Sequence, residues 1–217
     1  MDTFTLKKND RPLASVVAEL ADQLRNVDPE TLAAHTAARY FSMGKSAGMF
    51  TLPVWGRTVA LTFPDLDALD TYAKDPVPLS TRALVLQYLA SSDGLPETGR
   101  WISFSELPDG KFYNRAFQGY TGDKLASIFK DNHAAFGEAC VKAGGRPEEF
   151  ASVAYRFRAL PRVSVLAACW QGDEDFRTSF QILFDAAASH HLPTDVCAIV
   201  GSTLTRQLEQ AFRSKTA

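Results

Sequence analysis

Apolar positions recur along this chain with two different periods, and the switches between them outline its elements. Leu13, Val16, Val17, Leu20, Leu24 and Val27 follow helical spacing, so they share one face of a first helix. Asp10 can cap that helix, with Pro12 in its first turn, where a missing N–H costs little. Asp28-Pro29-Glu30 starts a second helix by the same logic, running to about Arg39 with Leu32 and Thr36 on one side. These two helices read as a separable arm over residues 1–44, ahead of a domain over 45–217, unless the whole chain is one domain.

From Gly48 the period becomes two. Met49–Trp55 and Thr58–Phe63 flank Gly56-Arg57 as a β-hairpin, with Phe50, Leu52 and Val54 on one face. Pro53 cannot donate to a ladder, which predicts an edge or bulged strand. Residues 65–69 read as a connecting turn or short helix. Ser80 then caps a helix carrying Leu84, Val85, Tyr88 and Leu89, which Asp93-Gly94 and Pro96 stop.

Residues 100–104 predict a strand and Pro108-Asp109-Gly110 a turn, followed by an aromatic loop from Phe112 to Tyr120. Leu125, Ile128, Phe129, Phe136, Ala139 and Ala143 keep a single helical stripe from a Thr121 cap to Gly144-Gly145. Val153, Tyr155 and Phe157 alternate with polar neighbours. The nearly unbroken apolar run from Val163 to Trp170 suits a central strand buried on both faces, and Ser179–Phe184 is a third strand. A final helix starts near Thr194, with Val196, Val200, Leu204, Leu208 and Phe212 four residues apart. Hairpins interleaved with helices predict an α+β fold, a mostly antiparallel sheet packed with helices and preceded by an N-terminal helical pair.

Composition changes little in this picture. With 217 residues, 46% of them hydrophobic, the chain can bury a core without staples. A net charge of -2 and no basic run longer than Lys7-Lys8 speak against nucleic acid. The N-terminus has no apolar signal core, and no run approaches the roughly 18 apolar residues of a membrane span, so a cytoplasmic protein is expected. Cys140, Cys169 and Cys197 form no CxxC pair, which matches no zinc, iron–sulfur or thioredoxin spacing.

Candidate chemistry concentrates in WQGDEDFRTSFQILFDAAASHHLPTDVC, residues 170–197. Asp173, Glu174 and Asp175 can ligate a divalent metal or act as acid and base, although three adjacent acids between strands ordinarily form a solvated loop. His190 and His191 can bind one metal only from a loop, and Asp185 upstream can orient a ring or join them as a ligand. Cys197 falls in the first turn of the last helix, where a thiol pKa drops, yet V-C-A-I-V is apolar and Asp195 opposes a thiolate. The acidic turn and the histidine pair fall at opposite ends of one strand. Separately, Trp101, Phe112, Tyr113, Phe117 and Tyr120 can line an apolar pocket with Arg100 or Arg115 as its polar anchor.

ALVLQYLASSDG (83–94), WISFSELPDGKFY (101–113) and LPRVSVLAACWQGDEDFRTSFQILFDAAASHHLP (160–193) resemble a prokaryotic family of unknown function, known mainly from anaerobes, over about residues 80–205. Some of its members resemble fusions to a small iron–sulfur module. This chain has no cysteine cluster, so that role does not carry over. The resemblance implies an α+β domain beside redox or cofactor metabolism. Residues and resemblance together give one leading expectation and two alternatives. The first is an accessory protein binding a cofactor or small molecule, such as a tetrapyrrole or corrinoid, through His190, His191, Trp101, Tyr113 and Arg100. The second is a hydrolytic enzyme using a divalent metal or acid–base pair at Asp185, His190 and His191, with Asp173. The third is an interaction module that docks a partner or a second copy through residues 1–40.

Overall fold

The computed structural model describes residues 11–44 and 46–214, so the expected Asp10 cap lies outside the described residues. The chain divides into two units, Met1–Leu95 and Pro96–Ala217, each with its own α+β core. The boundary expected near residue 44 falls inside the first unit.

In the first unit, α1 (Arg11–Leu24) buries Val17, Leu20 and Leu24 of the expected face together with Ala21, while Val16 and Val27 stay exposed. Asp28 caps α2 (Pro29–Thr36) through a carboxylate that accepts from the backbone N–H and hydroxyl of Thr31 at 3.0 and 2.7 Å. Those bonds hold its pKa below the usual carboxylate value. The helix ends earlier than expected. Ala37 turns left-handed (φ 53°), and Arg39 already belongs to β1 (Arg39–Ser42). The hairpin is β2 (Gly48–Val54) and β3 (Arg57–Phe63), joined at Trp55 and Gly56 with φ of 50° and 78°, the positive pair a type I′ turn requires.

Sheet order is β1-β2-β3-β4, with β4 at Ala68–Asp70, where a turn or helix was expected. β2 is therefore an interior strand, not an edge. Pro53 is tolerated because β1 pairs only with residues 48–51, leaving its nitrogen side without a ladder partner. Helix α3 (Leu79–Ser91) starts after Pro78 rather than from a Ser80 cap. It buries Val85, Leu86, Tyr88 and Leu89, and the Tyr88 hydroxyl donates to the Thr36 carbonyl at 2.8 Å.

The second unit is one antiparallel sheet with helices on one face. Its order is β5 (Trp101–Ser103), β9 (Ser179–Asp185), β8 (Val163–Trp170), β7 (Val153–Leu160), β6 (Arg146–Pro147). The apolar run 163–170 is the middle strand, buried on both faces as expected. Register aligns Phe157, Val165, Phe184 and Ile102 on one face. Four helices serve this unit: α4 (Gly110–Tyr120), α5 (Gly122–Phe129), α6 (His133–Lys142) and α7 (Thr194–Arg213). Phe180 on β9 meets Phe129 of α5 and Phe136 of α6 at 6.2 and 5.1 Å, and Phe184 meets Phe117 of α4 at 5.9 Å. On the opposite face Ala154, Leu166, Ala168 and Leu183 form a second cluster, against which Trp101 and Trp170 pack.

Two helical expectations are corrected here. Residues 112–120 are a helix, not a loop, because Tyr113, Phe117 and Tyr120 sit at helical spacing. The stripe from Leu125 to Ala143 is two helices, since Lys130 adopts φ 48° and Asn132 caps α6 by accepting from Ala135 N. Phe129 and Phe136 stand seven residues apart on either side of that break and both face Phe180, so the hydrophobic period runs through it undisturbed.

Candidate functional site

The far end of β9 holds Asp185, and its carboxylate gathers four hydrogen bonds. Its Oδ1 accepts from Thr98 N (3.0 Å), Thr98 Oγ1 (3.1 Å) and Ala187 N (2.9 Å), and its Oδ2 from Gly99 N (2.7 Å). Three donors crowd Oδ1 and one reaches Oδ2, so most of the acceptor capacity of this carboxylate is spent on its neighbours. Asp185 is a buried clamp that ties the 98–99 backbone to the end of the strand.

The histidine pair splits. A short 3₁₀ turn at Ala188–His190 leaves His190 exposed, while His191 is fully buried, and both are engaged within the protein. Among the described residues no group of three or more His, Cys, Asp or Glu is arranged to hold a metal ion. Asp173 lies at the other end of β9, about 20 Å of strand away. Its Oδ1 accepts from Asp175 N and Phe176 N at 3.0 and 2.9 Å, which closes the acidic turn on itself.

Cys197 does fall in the first turn of α7, but it is fully buried and donates to the Leu192 carbonyl at 3.7 Å. Burial, reinforced by Asp195, pushes its thiol pKa up to about 12. Burial also raises Cys169, to about 11, and drives Cys140 higher still. All three thiols are thus expected to resist 5,5′-dithiobis(2-nitrobenzoate) at pH 8 in the native protein and to react together once denaturant is added. Reaction of one thiol before unfolding would contradict this.

The aromatic residues are also divided. Trp101 lies on the sheet face turned away from the helices, packed on the Leu166–Leu183 cluster, and Arg100 is exposed beside it. Tyr113 belongs to the helical side. There it lines a groove of about 1000 Å³ between α4 and α7. Pro108, Asp109, Tyr113, Ala116 and Tyr120 form one wall; Thr194, Asp195, Ala198, Ile199 and Ser202 form the other. Phe104, Ser189, Leu192 and Pro193 complete it. Phe117 supports the floor, stacked on Phe104 at 4.2 Å with the rings 11° apart. Thr194 Oγ1 donates to the Pro108 carbonyl at 2.6 Å and joins the two walls. Tyr113, Tyr120 and Ile199 remain 67%, 43% and 56% exposed, so apolar surface faces solvent along this groove.

Sequence reasoning reached Tyr113 and Tyr120 but not the α7 wall. Its signal was present as Asp195, Ile199 and Ser202 at helical spacing opposite the buried stripe. A second arrangement also went unread. Thr178 Oγ1 donates to Asp131 at 2.6 Å and accepts from Gly172 N at 3.1 Å, with His133 Nε2 at 3.5 Å. These bonds tie the acidic loop to the segment that opens α6.

A family model described as a domain of unknown function, DUF3786, matches residues 28–207. The chain belongs to this family. The match begins at the α2 cap and runs into α7, so it takes in most of both units and extends well beyond the 80–205 segment that carried the resemblance. It includes every residue of the α4–α7 groove. No curated protein and no solved structure matches the chain. No described helix is long and apolar enough to cross a membrane.

Proposed function

We propose that this protein is a small-molecule- or cofactor-binding accessory domain whose ligand lies in the groove between α4 and α7. The observation that carries the reading is the groove itself. Its volume falls in the range of small-ligand sites, and it combines an aromatic and aliphatic lining with a few convergent polar groups, Asp109, Ser189, Thr194, Asp195 and Ser202. Its walls are rigid helices joined by the Thr194–Pro108 hydrogen bond, which favours a preformed site. The described lining residues include no histidine, so a haem iron would have to take its axial ligand from Tyr113 or Tyr120.

The test is a fluorescence titration with N-phenyl-1-naphthylamine, an uncharged probe that brightens in apolar surroundings. Saturable binding of one probe per chain is expected, weakened at least about tenfold by Ile199→Arg, which places a charge on the groove wall without touching the core. Unsaturable binding, or binding that Ile199→Arg leaves unchanged, would remove the reading. Parallel titrations with haem and cobalamin, followed by absorption, decide the tetrapyrrole and corrinoid versions.

A further inference from the structure

We infer that the ligand of the α4–α7 groove carries a positive charge, as an organic ammonium group on an apolar body; this rests on the ligand-binding reading above. The groove contains two carboxylates, Asp109 and Asp195, and no lysine, arginine or histidine among the described residues that line it. The two acids are held near each other. Asp109 follows Pro108 and Asp195 follows Thr194, and those two neighbours share the hydrogen bond that joins the walls. Both acids are exposed side chains at the starts of helices, α4 and α7.

Helix starts raise an opposing effect, because backbone N–H groups there favour anions. The magnitudes decide the sign. Each helix N-terminus supplies about half a unit of positive charge, against a full negative unit on each carboxylate. Among the groove's lining residues the carboxylates therefore outweigh the helix ends, which disfavours a carboxylate or phosphate ligand there. The aromatic rings act in the same direction. Tyr113 and Tyr120 rise from α4 at i and i+7 and both line the groove with exposed rings, and an aromatic ring favours a cation over an anion at its face. An apolar cleft with two carboxylates and aromatic sides fits an alkyl or aryl ammonium ion better than a neutral molecule of the same shape.

The experiment is a calorimetric titration of the full chain with three probes of equal chain length, below their micelle concentrations: decyltrimethylammonium, 1,2-decanediol and decanoate. Decyltrimethylammonium is expected to bind about tenfold tighter than the diol, with decanoate weakest. The double variant Asp109→Asn/Asp195→Asn should lower the cation to the affinity of the diol and leave the diol unchanged. Equal affinities of cation and diol, or tighter binding of decanoate, would overturn the charge inference. If N-phenyl-1-naphthylamine still binds in that case, the ligand-binding reading stands alone. Loss of all four probes would overturn both.

Discussion

Replacing Asp185 with alanine is expected to cost about 3–5 kcal/mol of stability, the largest effect of any polar substitution in the second unit. The carboxylate is buried and accepts from three backbone N–H groups and one hydroxyl. Alanine leaves those backbone donors in a site that water enters poorly, and each orphaned donor carries a desolvation penalty of about 1–3 kcal/mol. Asp185→Asn should fall between wild type and alanine. It keeps one acceptor oxygen, but its NH₂ group faces a donor where the carboxylate offered an acceptor. Urea unfolding followed by tryptophan fluorescence measures this, because Trp101 pairs with Asp185 across β5 and β9. The result also separates two roles. A residue kept for metal or acid–base chemistry commonly leaves stability unchanged or raised when removed. An unchanged urea midpoint in Asp185→Ala would therefore restore it as a chemical candidate.

Phe117→Ala is the second large effect, expected at about 3–5 kcal/mol. Phe117 is fully buried, stacked on Phe104, and in contact with Tyr120 and Phe184 at 5.7 and 5.9 Å. Gly201 of α7 lies directly beneath it: a Cβ there would come within 2.7 Å of the Phe117 ring. This close approach lets α7 pass beside α4 and sets the width of the groove. Two consequences follow together. Gly201→Leu should destabilise the wild-type protein by overpacking. In the Phe117→Ala background the same change should be neutral or stabilising, because the leucine fills the space the ring vacated. Urea midpoints of the four proteins close the cycle, and additive effects would contradict the contact. Phe117→Ala should also weaken N-phenyl-1-naphthylamine binding, since Phe104 loses the ring that holds it in place.

Local sequence determined the elements whose burial follows a single period. The β2–β3 hairpin was legible because Phe50, Leu52 and Val54 alternate, although its turn falls at Trp55-Gly56, one residue before the expected Gly56-Arg57. The middle strand β8 was legible because both of its faces are apolar, and α7 because Val200, Leu204 and Leu208 recur every four residues. The Asp28 cap was readable for the same local reason: its partner, Thr31, is three residues away.

What period alone could not decide was where a stripe breaks and which groups meet. Phe129 and Phe136 keep helical spacing through a left-handed Lys130, since both are satisfied by one ring, Phe180, on a strand some fifty residues on. Asp185 and His191 look like chemistry when written in a row. Tertiary structure assigns the first to backbone donors 86 and 87 residues away and buries the second in the interior. The candidate site was half visible in the same way. Tyr113 and Tyr120 were named from the sequence, but their partners Asp195 and Ile199 lie about eighty residues further along. Local spacing determines which face of an element is apolar; only the packing of α4 against α7 decides which exposed faces are brought together into a groove.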